Sequence, residues 1–274
     1  MPAERDISVI IPYYNRDEFI DDAVKSVLAQ TLQPLEIIIV NDGSRESSRR
    51  YLDRYADICR ILDLPTNVGS AESRNAGIRL VRGRFVALLD DDDIWLPEKL
   101  EVQRAYMEEH PACSAVTSWV TAFFADKSDD LWIQCDSHPM RLPQALKEWY
   151  WAIPSTLMIR TDAFRAVGGF DPSFRVCEDR EFMIRFCAAG YSVESIPRSL
   201  VRFRRTGQTC LTGRKWTTYR AHIRLVWLHR ALFYRVYGVR GMLNFLLATL
   251  RKATEDTRYL DGAVRFLLRV IPPK

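Results

Sequence analysis

A short apolar run that ends in four consecutive aspartates constrains this chain more than any other feature. The run Phe85–Leu89 is typical of a strand that is buried on both faces. Asp90, Asp91, Asp92 and Asp93 follow it directly. Open α/β folds bind their ligands at the carboxyl ends of their strands. We therefore expect a buried strand that presents four carboxylates at the rim of a sheet.

The four aspartates have two interpretations. Adjacent carboxylates repel each other and need a counter-charge, and Mn²⁺ or Mg²⁺ prefers such oxygen ligands. Alternatively, the acids form a solvated turn before the helix that Pro97 starts, where negative charge is favourable. Position in the sequence leaves both interpretations open.

The first hundred residues alternate short apolar runs with amphipathic stretches, which predicts βαβ units and a mostly parallel sheet flanked by helices. The predicted strands are Ile7–Ile11, Leu35–Val40, Ile58–Leu62 and Phe85–Leu89. The predicted helices run from Asp17, as the capping residue, to Gln30, from the turn at Asn41–Ser44 to Tyr55, and from Ala71 to Val81. Neither GxGxxG nor GxxxxGK[ST] occurs, so this nucleotide-binding type of architecture lacks the dinucleotide fingerprint and the P-loop.

The later sequence is less regular. We predict strands over Ser114–Phe124 and Ser155–Ile159, an exposed loop over Asp126–Asp130, and a helix over Glu178–Ala189. Helical patterns follow from Tyr219, over Met242–Leu250 and over Leu260–Val270. This organisation predicts an α/β domain over 1–213, divided into a nucleotide-binding half over 1–100 and a second half over 101–213, and a helical extension over 214–274.

Charge is distributed unevenly. From Arg214 to Lys274 there are 13 Lys or Arg against three acids, whereas the rest of the chain has a balance of −6 within a total of +4. A basic extension in which aromatic residues alternate with arginines is typical of a helix at a membrane surface. Packing of these helices on the first domain, or pairing of two copies as a homodimer, is the alternative. No nucleic-acid-binding fold accompanies the basic stretch, so nucleic acid is not expected as a partner.

Two further features indicate the cellular compartment. The six cysteines show neither a CxxC pair nor a zinc spacing, which favours reduced thiols. The sequence has no signal-peptide pattern and no apolar run of about 18 residues. We expect a cytoplasmic protein, with attachment at the inner face of the membrane as a further expectation.

Five motifs together resemble the family 2 glycosyltransferases, a group of inverting enzymes that bind nucleotide sugars on a GT-A fold. The resemblance covers about residues 7 to 210, in the family's order. The motifs are Pro12–Arg16, Asn41–Ser44, Asn67–Gly77, Leu89–Trp95 and the segment from Gly168 to Asp179.

The resemblance implies a role for each matched residue. The backbone of Pro12, Tyr13, Tyr14 and Asn15 would hold the nucleoside, and Asp42 and Arg74 would face its base. Within the DxD-like triplet, Asp90 would touch the ribose and Asp91 would also belong to the nucleotide site. Asp92 would ligate Mn²⁺ or Mg²⁺. Asp179 would be the catalytic base, with Glu178 and Trp95 near the acceptor or the diphosphate.

The sequence departs from the family pattern at two places. Many members have a histidine after the last strand, but Arg202–Gln208 contains none, so Arg204 or Arg205 is the candidate for the diphosphate. The QxxRW motif of processive members is also missing, which favours addition of one sugar.

Each motif also has a plainer interpretation. Asp42 could cap the following helix, and Arg74 could lie on a helix surface. Glu178 and Asp179 could be first-turn acids that complement a helix dipole. Trp95 could be a buried aromatic residue.

The motifs together predict an inverting, metal-dependent, non-processive glycosyltransferase. It would move one sugar from a nucleotide donor, with UDP favoured, to a hydroxyl of a surface polysaccharide or lipid-linked saccharide. A sugar-1-phosphate nucleotidyltransferase and a non-catalytic sugar-nucleotide-binding scaffold are the alternatives.

Overall fold

One mixed sheet organises the first part of the chain. The computed structural model of the protein describes residues 5–123, 131–133, 140–147, 153–205 and 215–254. Its strands are β1 (Ile7–Tyr13), β2 (Glu36–Asp42), β3 (Arg60–Leu64), β4 (Phe85–Leu88), β5 (Ile94–Trp95), β6 (Ala115–Phe123), β7 (Leu131–Ile133), β8 (Met158–Arg160) and β9 (Val193–Arg204). The strand order is β3-β2-β1-β4-β8-β6-β9-β5, with β7 paired to β6.

Helices connect these strands. They are α1 (Asp17–Leu28), α2 (Glu46–Tyr51), α3 (Ser70–Ile78), α4 (Lys99–Glu109), α5 (Leu142–Lys147), α6 (Thr161–Ala166) and α7 (Glu178–Ala188), followed by α8 (Lys215–Leu228) and α9 (Arg230–Thr254). Short 3₁₀ turns cover Leu52–Tyr55 and Pro154–Thr156.

The first four strands are parallel, as the alternation of strands and helices predicts. β1 pairs with β2 on one side and with β4 on the other, and β2 pairs with β3. α3 packs closely on this sheet at Gly77, where a Cβ atom would lie 2.9 Å from a methyl carbon of Ile10 and 3.0 Å from one of Val40. Glycine is therefore the residue that permits this approach of helix and strand.

The sheet becomes mixed beyond β4. β8 is antiparallel to both β4 and β6, whereas β9 is parallel to β6 and antiparallel to β5. β4, β6 and β9 consequently point the same way as β1 and β2. Together with β3, which is parallel to β2, six strands thus have their carboxyl ends along one edge, where the aspartates follow β4.

The predicted elements fall close to the observed ones, with two corrections. Asp17 does not cap α1, because Arg16 occupies the N-cap position and the Asp17 carboxylate accepts hydrogen bonds from the hydroxyls of Tyr13 and Ser48. The predicted strand Ser155–Ile159 begins as the 3₁₀ turn and only then becomes β8. The predictions for Asp126–Asp130 and Leu260–Val270 lie outside the described residues.

Contacts within the chain separate two units, Met1–Thr206 and Gly207–Lys274. In the second unit α9 breaks at Gly238, whose φ of 64° is not helical, and the ring of Phe233 packs 5.4 Å from that of Phe245. None of the helices in the described ranges is both long and apolar enough to span a bilayer.

Candidate active site

The segment Asp90–Asp93, the aspartate loop, is held in place by two distant segments. Asp93 is fully buried, and its carboxylate accepts hydrogen bonds from Ser155 Oγ at 2.5 Å and from the Arg204 main-chain N–H at 3.0 Å. Ser155 Oγ also accepts one from the Asp90 main-chain N–H at 3.0 Å. The 3₁₀ turn before β8 and the end of β9 therefore fix the shape of the loop.

Arginines supply the counter-charge that the aspartate loop requires. Arg16 Nη1 lies 3.0 Å from Asp91 Oδ1 and 2.6 Å from Asp92 Oδ2. Arg204 Nε donates to the main-chain oxygen of Asp92 at 2.9 Å. Since Asp91 and Asp93 are buried, the interpretation of the four acids as a solvated turn is wrong.

Burial opposes ionisation of this loop. It raises the pKa of Asp91 to about 7; Arg16 opposes the shift, and the charges of Asp92 and Asp90 add to it. Burial likewise raises the pKa of Asp92 and places that of Asp93 well above its usual value. The loop thus concentrates negative charge where ionisation is unfavourable, which is the electrostatic setting of a cation or ligand site.

Arg74 joins the aspartate loop to the start of α7. Its Nη2 lies 2.6 Å from Asp90 Oδ1 and its Nη1 lies 2.9 Å from Glu178 Oε1, and only 4% of its side chain is exposed. Ser70 Oγ donates to the same Glu178 oxygen at 2.8 Å. The interpretation of Arg74 as a surface helix residue is therefore wrong, and two acidic motifs that are distant in the sequence meet at one guanidinium.

Glu178 and Asp179, the helix-start pair, open α7. Asp179 Oδ1 accepts a hydrogen bond from the Arg180 main-chain N–H at 2.7 Å. Burial and the charge of Glu178 raise the pKa of Asp179 to about 7, against the opposing effects of that N–H and of Arg74. A carboxyl group with this pKa can accept a proton near neutral pH.

Asp42 belongs to the start of α3 rather than to that of α2. Its buried carboxylate accepts hydrogen bonds from the main-chain N–H groups of Val68 at 2.7 Å and Gly69 at 2.9 Å. The interpretation of Asp42 as the cap of the next helix is therefore wrong. The contact brings the loops after β2 and before α3 together.

The loop after β1 closes against the same region. Asn15 has a left-handed φ of 53°; its N–H donates to Ser44 Oγ at 3.1 Å, and its Oδ1 accepts from the Arg45 N–H at 2.9 Å. The Tyr14 N–H donates to Asp91 Oδ2 at 3.4 Å. The loops that follow the first two strands thus meet each other and the aspartate loop.

Asn75 fastens the Gly168–Asp171 turn to α3. Its Nδ2 donates to Phe170 O at 2.8 Å, and the Phe170 N–H donates back to its Oδ1 at 2.9 Å. A Cβ atom on Gly169 would lie 2.6 Å from that Oδ1, so glycine is required there. The third and fifth sequence motifs are in contact, as neighbouring parts of one site would be.

Three other residues were predicted to lie near the acceptor or the diphosphate: Trp95, Arg204 and Arg205. Trp95 is 2% exposed, its Nε1–H donates to Ser155 O at 2.8 Å, and Lys99 Nζ lies 3.9 Å from its ring centre. The expectation that Trp95 faces the acceptor or diphosphate is corrected to that of a core aromatic residue. Arg204 also binds Asp22 at 2.8 Å, and the neighbouring Arg205 is exposed.

The remaining predicted nucleotide contacts lie along the end of β1. Pro12 is partly buried within the strand, and Tyr13 is buried with its hydroxyl on Asp17. The Tyr14 side chain is 45% exposed. Tyr14 therefore has a side chain accessible to a ligand, whereas the Tyr13 side chain is enclosed.

Three residues of the site received no role from the sequence. Arg16 stands inside the first motif, so its position beside the strand ends was a usable signal. Ser155 and Ser70 have no spacing that relates them to the acids they bind.

The described residues contain no group of three or more His, Cys, Asp and Glu side chains arranged to enclose a metal ion. Mg²⁺ is commonly bound by one or two carboxylates together with the phosphates of a substrate. The Asp92 side chain is 16% exposed and its carboxylate fits that kind of shared site.

Known proteins resemble this chain in sequence and in fold. The family model described as Glycosyl transferase family 2 matches residues 8–168. The amylovoran biosynthesis glycosyltransferase AmsE of Erwinia amylovora is 27% identical over 89% of this chain and 93% of its own length. The putative teichuronic acid biosynthesis glycosyltransferase TuaG of Bacillus subtilis is 39% identical over 41% of this chain, which spans 46% of that relative.

The solved structures show the same fold. S. aureus TarS 1-349 in complex with UDP-GlcNAc has a TM-score of 0.70 at 16% identity, over 93% of this chain and 74% of TarS. The complex of the same protein with UDP has a TM-score of 0.67 at 17% identity, over 93% and 73%.

Proposed function

This chain belongs to the family 2 glycosyltransferases and has their GT-A fold, and we propose that it transfers one sugar from a nucleoside-diphosphate donor to an acceptor hydroxyl, with inversion. The observation that carries the proposal is the bridge formed by Arg74, which bonds to Asp90 at 2.6 Å and to Glu178 at 2.9 Å. The bridge supports the proposal because it joins Asp90, the acid proposed to lie beside the nucleotide, to Glu178, the neighbour of the proposed base Asp179. A scaffold that only binds nucleotide has no need of the second acid.

The donor is proposed to lie across the ends of β1, β2 and β4. The main chain of Pro12–Asn15 would hold the nucleoside, with Asp42 and Arg74 toward the base and Asp90 toward the ribose. We favour a UDP-sugar, because solved structures with this fold contain UDP and UDP-GlcNAc.

Asp92 is proposed to hold Mn²⁺ or Mg²⁺ together with the diphosphate. A bound divalent cation stabilises, as a Lewis acid, the negative charge on a departing phosphate. The protein's own part is to position that carboxylate, which it does through the bond from Arg204 to the Asp92 main-chain oxygen.

Asp179 is proposed to accept the proton of the acceptor hydroxyl. As the hydroxyl oxygen bonds to the anomeric carbon, the bond from that carbon to the diphosphate breaks and the proton passes to the carboxylate. One base without an enzyme nucleophile gives inversion. The pKa of Asp179 of about 7 leaves much of it ionised at neutral pH.

The acceptor is proposed to be a growing surface polysaccharide or a lipid-linked saccharide, because relatives are named for amylovoran and teichuronic acid biosynthesis. We also propose that the second unit meets an anionic membrane surface. Between Arg205 and Glu255 there are nine Lys or Arg and no acid. Exposed apolar side chains accompany them at Ile223, Trp227, Leu228, Tyr234, Val239 and Leu243.

Calorimetric titration of UDP, GDP and dTDP, each with and without Mn²⁺, tests the donor site. We expect one nucleotide, UDP, to bind in a metal-dependent way to the wild type and to lose that dependence in Asp92→Ala. Asp53→Ala, which removes an exposed surface carboxylate, is the matched control. If no nucleotide binds to the folded wild type in the presence of Mn²⁺, the transferase proposal fails.

Flotation with vesicles of anionic and of neutral lipid tests the membrane surface. We expect the full chain to float with anionic vesicles and the double variant Trp227→Ser, Tyr234→Ser to float less. Sedimentation velocity tests the alternative that this face pairs two copies of the chain. If the wild type forms a stable dimer and the same double variant is a monomer, the face binds a second copy and the membrane proposal fails.

A further inference from the structure

Arg16, Arg74 and Arg204 have described contacts to the aspartate loop, and Arg16 is the most exposed of them. Its side chain is 33% exposed, against 4% for Arg74 and 9% for Arg204. Arg74 is shared between two carboxylates, and Arg204 is shared between the loop and Asp22. Arg16 is therefore the cation of this group that can exchange partners with the least loss of structure.

The contacts of Arg16 pass through a single nitrogen. Nη1 binds Asp91 and Asp92, and the contacts that the described residues show for this guanidinium do not use Nε or Nη2. Since a guanidinium has a fork of donors that matches two phosphate oxygens, most of its binding capacity is unused in this arrangement.

The main chain of Arg16 is held by hydrogen bonds that do not involve its side chain. Its carbonyl oxygen accepts hydrogen bonds from the N–H groups of Phe19 at 3.1 Å and Ile20 at 3.3 Å, at the start of α1. Asn15 before it is held by Ser44 and Arg45. A change of partner would therefore be a rotation of the side chain, without movement of the loop.

The bond from Arg16 to Asp92 conflicts with a second cation on the same oxygen. Nη1 lies 2.6 Å from Asp92 Oδ2. A divalent cation binds a carboxylate oxygen at about 2.0–2.1 Å when it is Mg²⁺, so the two positive charges would meet at close range. Favourable occupancy of both requires an anion between them, and the diphosphate of a donor is such an anion.

We propose that Arg16 is a displaceable counter-ion of the donor site. It neutralises Asp91 and Asp92 before the donor binds, and then turns its guanidinium fork from Asp92 to the donor's diphosphate. This inference rests on the proposed function for its second step, but not for its first. It adds to the site a phosphate ligand from the loop after β1, distinct from Arg204 and Arg205 at the end of β9.

Manganese binding and nucleotide binding test the two steps separately. We expect Arg16→Gln to bind Mn²⁺ alone more tightly than the wild type, because the competing cation is gone. The same variant should bind UDP with Mn²⁺ at least about tenfold more weakly, the typical effect of losing a charge-assisted hydrogen bond. Free Mn²⁺ is measured by electron paramagnetic resonance, and UDP by calorimetry.

Two further variants make the result decisive. Arg16→Lys keeps the positive charge without the fork, so it should bind Mn²⁺ alone as the wild type does and bind UDP with intermediate affinity. Arg79→Gln, which removes an exposed arginine paired with Glu72, should change neither value. Thermal unfolding confirms that each variant is folded.

Opposite results overturn the proposal. Unchanged or weaker binding of Mn²⁺ alone by Arg16→Gln shows that Arg16 does not compete for Asp92. Unchanged binding of UDP shows that it does not reach the diphosphate. If the wild type binds no nucleotide, the proposed function fails. The affinities of the wild type and of Arg16→Gln for Mn²⁺ without nucleotide still test whether Arg16 competes with the cation for Asp92.

Discussion

The aspartate loop and the helix-start pair hold their negative charge in different ways. Arg16, Arg74 and Arg204 bond to the loop, and Ser155 donates to its deepest carboxylate. In the helix-start pair Glu178 binds Arg74, whereas the hydrogen bond described for Asp179 comes from a main-chain N–H. The negative charge of the loop is opposed by arginines, whereas the helix-start pair contains a carboxyl group, Asp179, whose raised pKa of about 7 favours binding of a proton.

This difference predicts that substitutions in the aspartate loop and in the helix-start pair change different properties of the protein. Damage to the loop should change binding and stability, and damage to Asp179 should change the rate of transfer. The predictions below follow from that separation.

The largest expected effect is on turnover in Asp179→Asn. Removing a general base typically lowers the rate about 10²–10⁴-fold, while binding of UDP with Mn²⁺ should remain as in the wild type. Release of UDP from the UDP-sugar is followed over a panel of saccharide acceptors. Asp162→Asn is the matched control, because Asp162 is also the second residue of its helix and bonds to the next N–H at 2.7 Å, but is exposed. An equal loss of transfer rate in Asp179→Asn and Asp162→Asn would contradict the assignment of the rate effect to the helix-start pair.

Arg74→Met should cause the largest loss of stability. It leaves the partly buried carboxylates of Asp90 and Glu178 without their cation, and breaking a buried ion pair typically costs about 3–5 kcal/mol. Urea denaturation gives the free energy of unfolding. Arg79→Met, at the exposed C-cap of the same helix, should change it by about 0–1 kcal/mol. A small effect of Arg74→Met would mean that the bridge does not hold the two groups together.

A smaller difference between the aspartate loop and the helix-start pair is expected in the pH dependence of the transfer rate. Asp179 accepts a proton only when ionised, so the transfer rate should rise with pH up to about 7 and fall roughly tenfold per unit below it. The pKa of Asp91 in the aspartate loop is also about 7. Titration of UDP at each pH therefore shows how much of the pH dependence comes from nucleotide binding at that loop.

Unfolding at the same pH values tests the sign of the Asp179 effect. Since the folded state raises this pKa above the ordinary 3.8, the contribution of Asp179 to stability is greatest at low pH and is lost as pH rises through about 7. Asp179→Asn should therefore lose less stability than the wild type between about pH 5 and pH 8.

The smallest expected effect is that of Ser155→Ala. It removes the hydroxyl between the Asp93 carboxylate and the Asp90 N–H, which should cost about 1–3 kcal/mol of stability and weaken UDP binding while leaving kcat nearly unchanged. Thr31→Ala removes an exposed hydroxyl that donates to Glu101 at 2.6 Å, and serves as the control. A fall in kcat with unchanged affinity would place Ser155 with the base instead.

The sequence predicted the parallel half of the sheet and the position of the aspartates well, because both depend on local periodicity. Strand β4 shows this, since its apolar run directly precedes the acids. The pairing of β5 with β9 was not predictable, as a two-residue strand carries no periodicity.

The contacts that define the site were less accessible to sequence reasoning. Arg74 was assigned to the nucleotide, but its bonds to Asp90 and Glu178 join segments that only the fold brings together. The same holds for Arg16 on Asp92 and for Ser155 on Asp93. Their partners are set by tertiary packing, for which a single sequence contains no pattern.

The position of β9 also has a consequence for the order in which the protein matures. β9 pairs with β5 next to the aspartates and supplies the Arg204 contacts to Asp92 and Asp93, although it is the last of the described strands in chain order. Domains fold during synthesis from the N-terminus, and contacts between distant segments form late. A nascent chain that ends before Val193 therefore lacks the main-chain N–H and the guanidinium of Arg204, which hold Asp93 and Asp92. The aspartate loop can reach its observed contacts only after synthesis has passed Arg204.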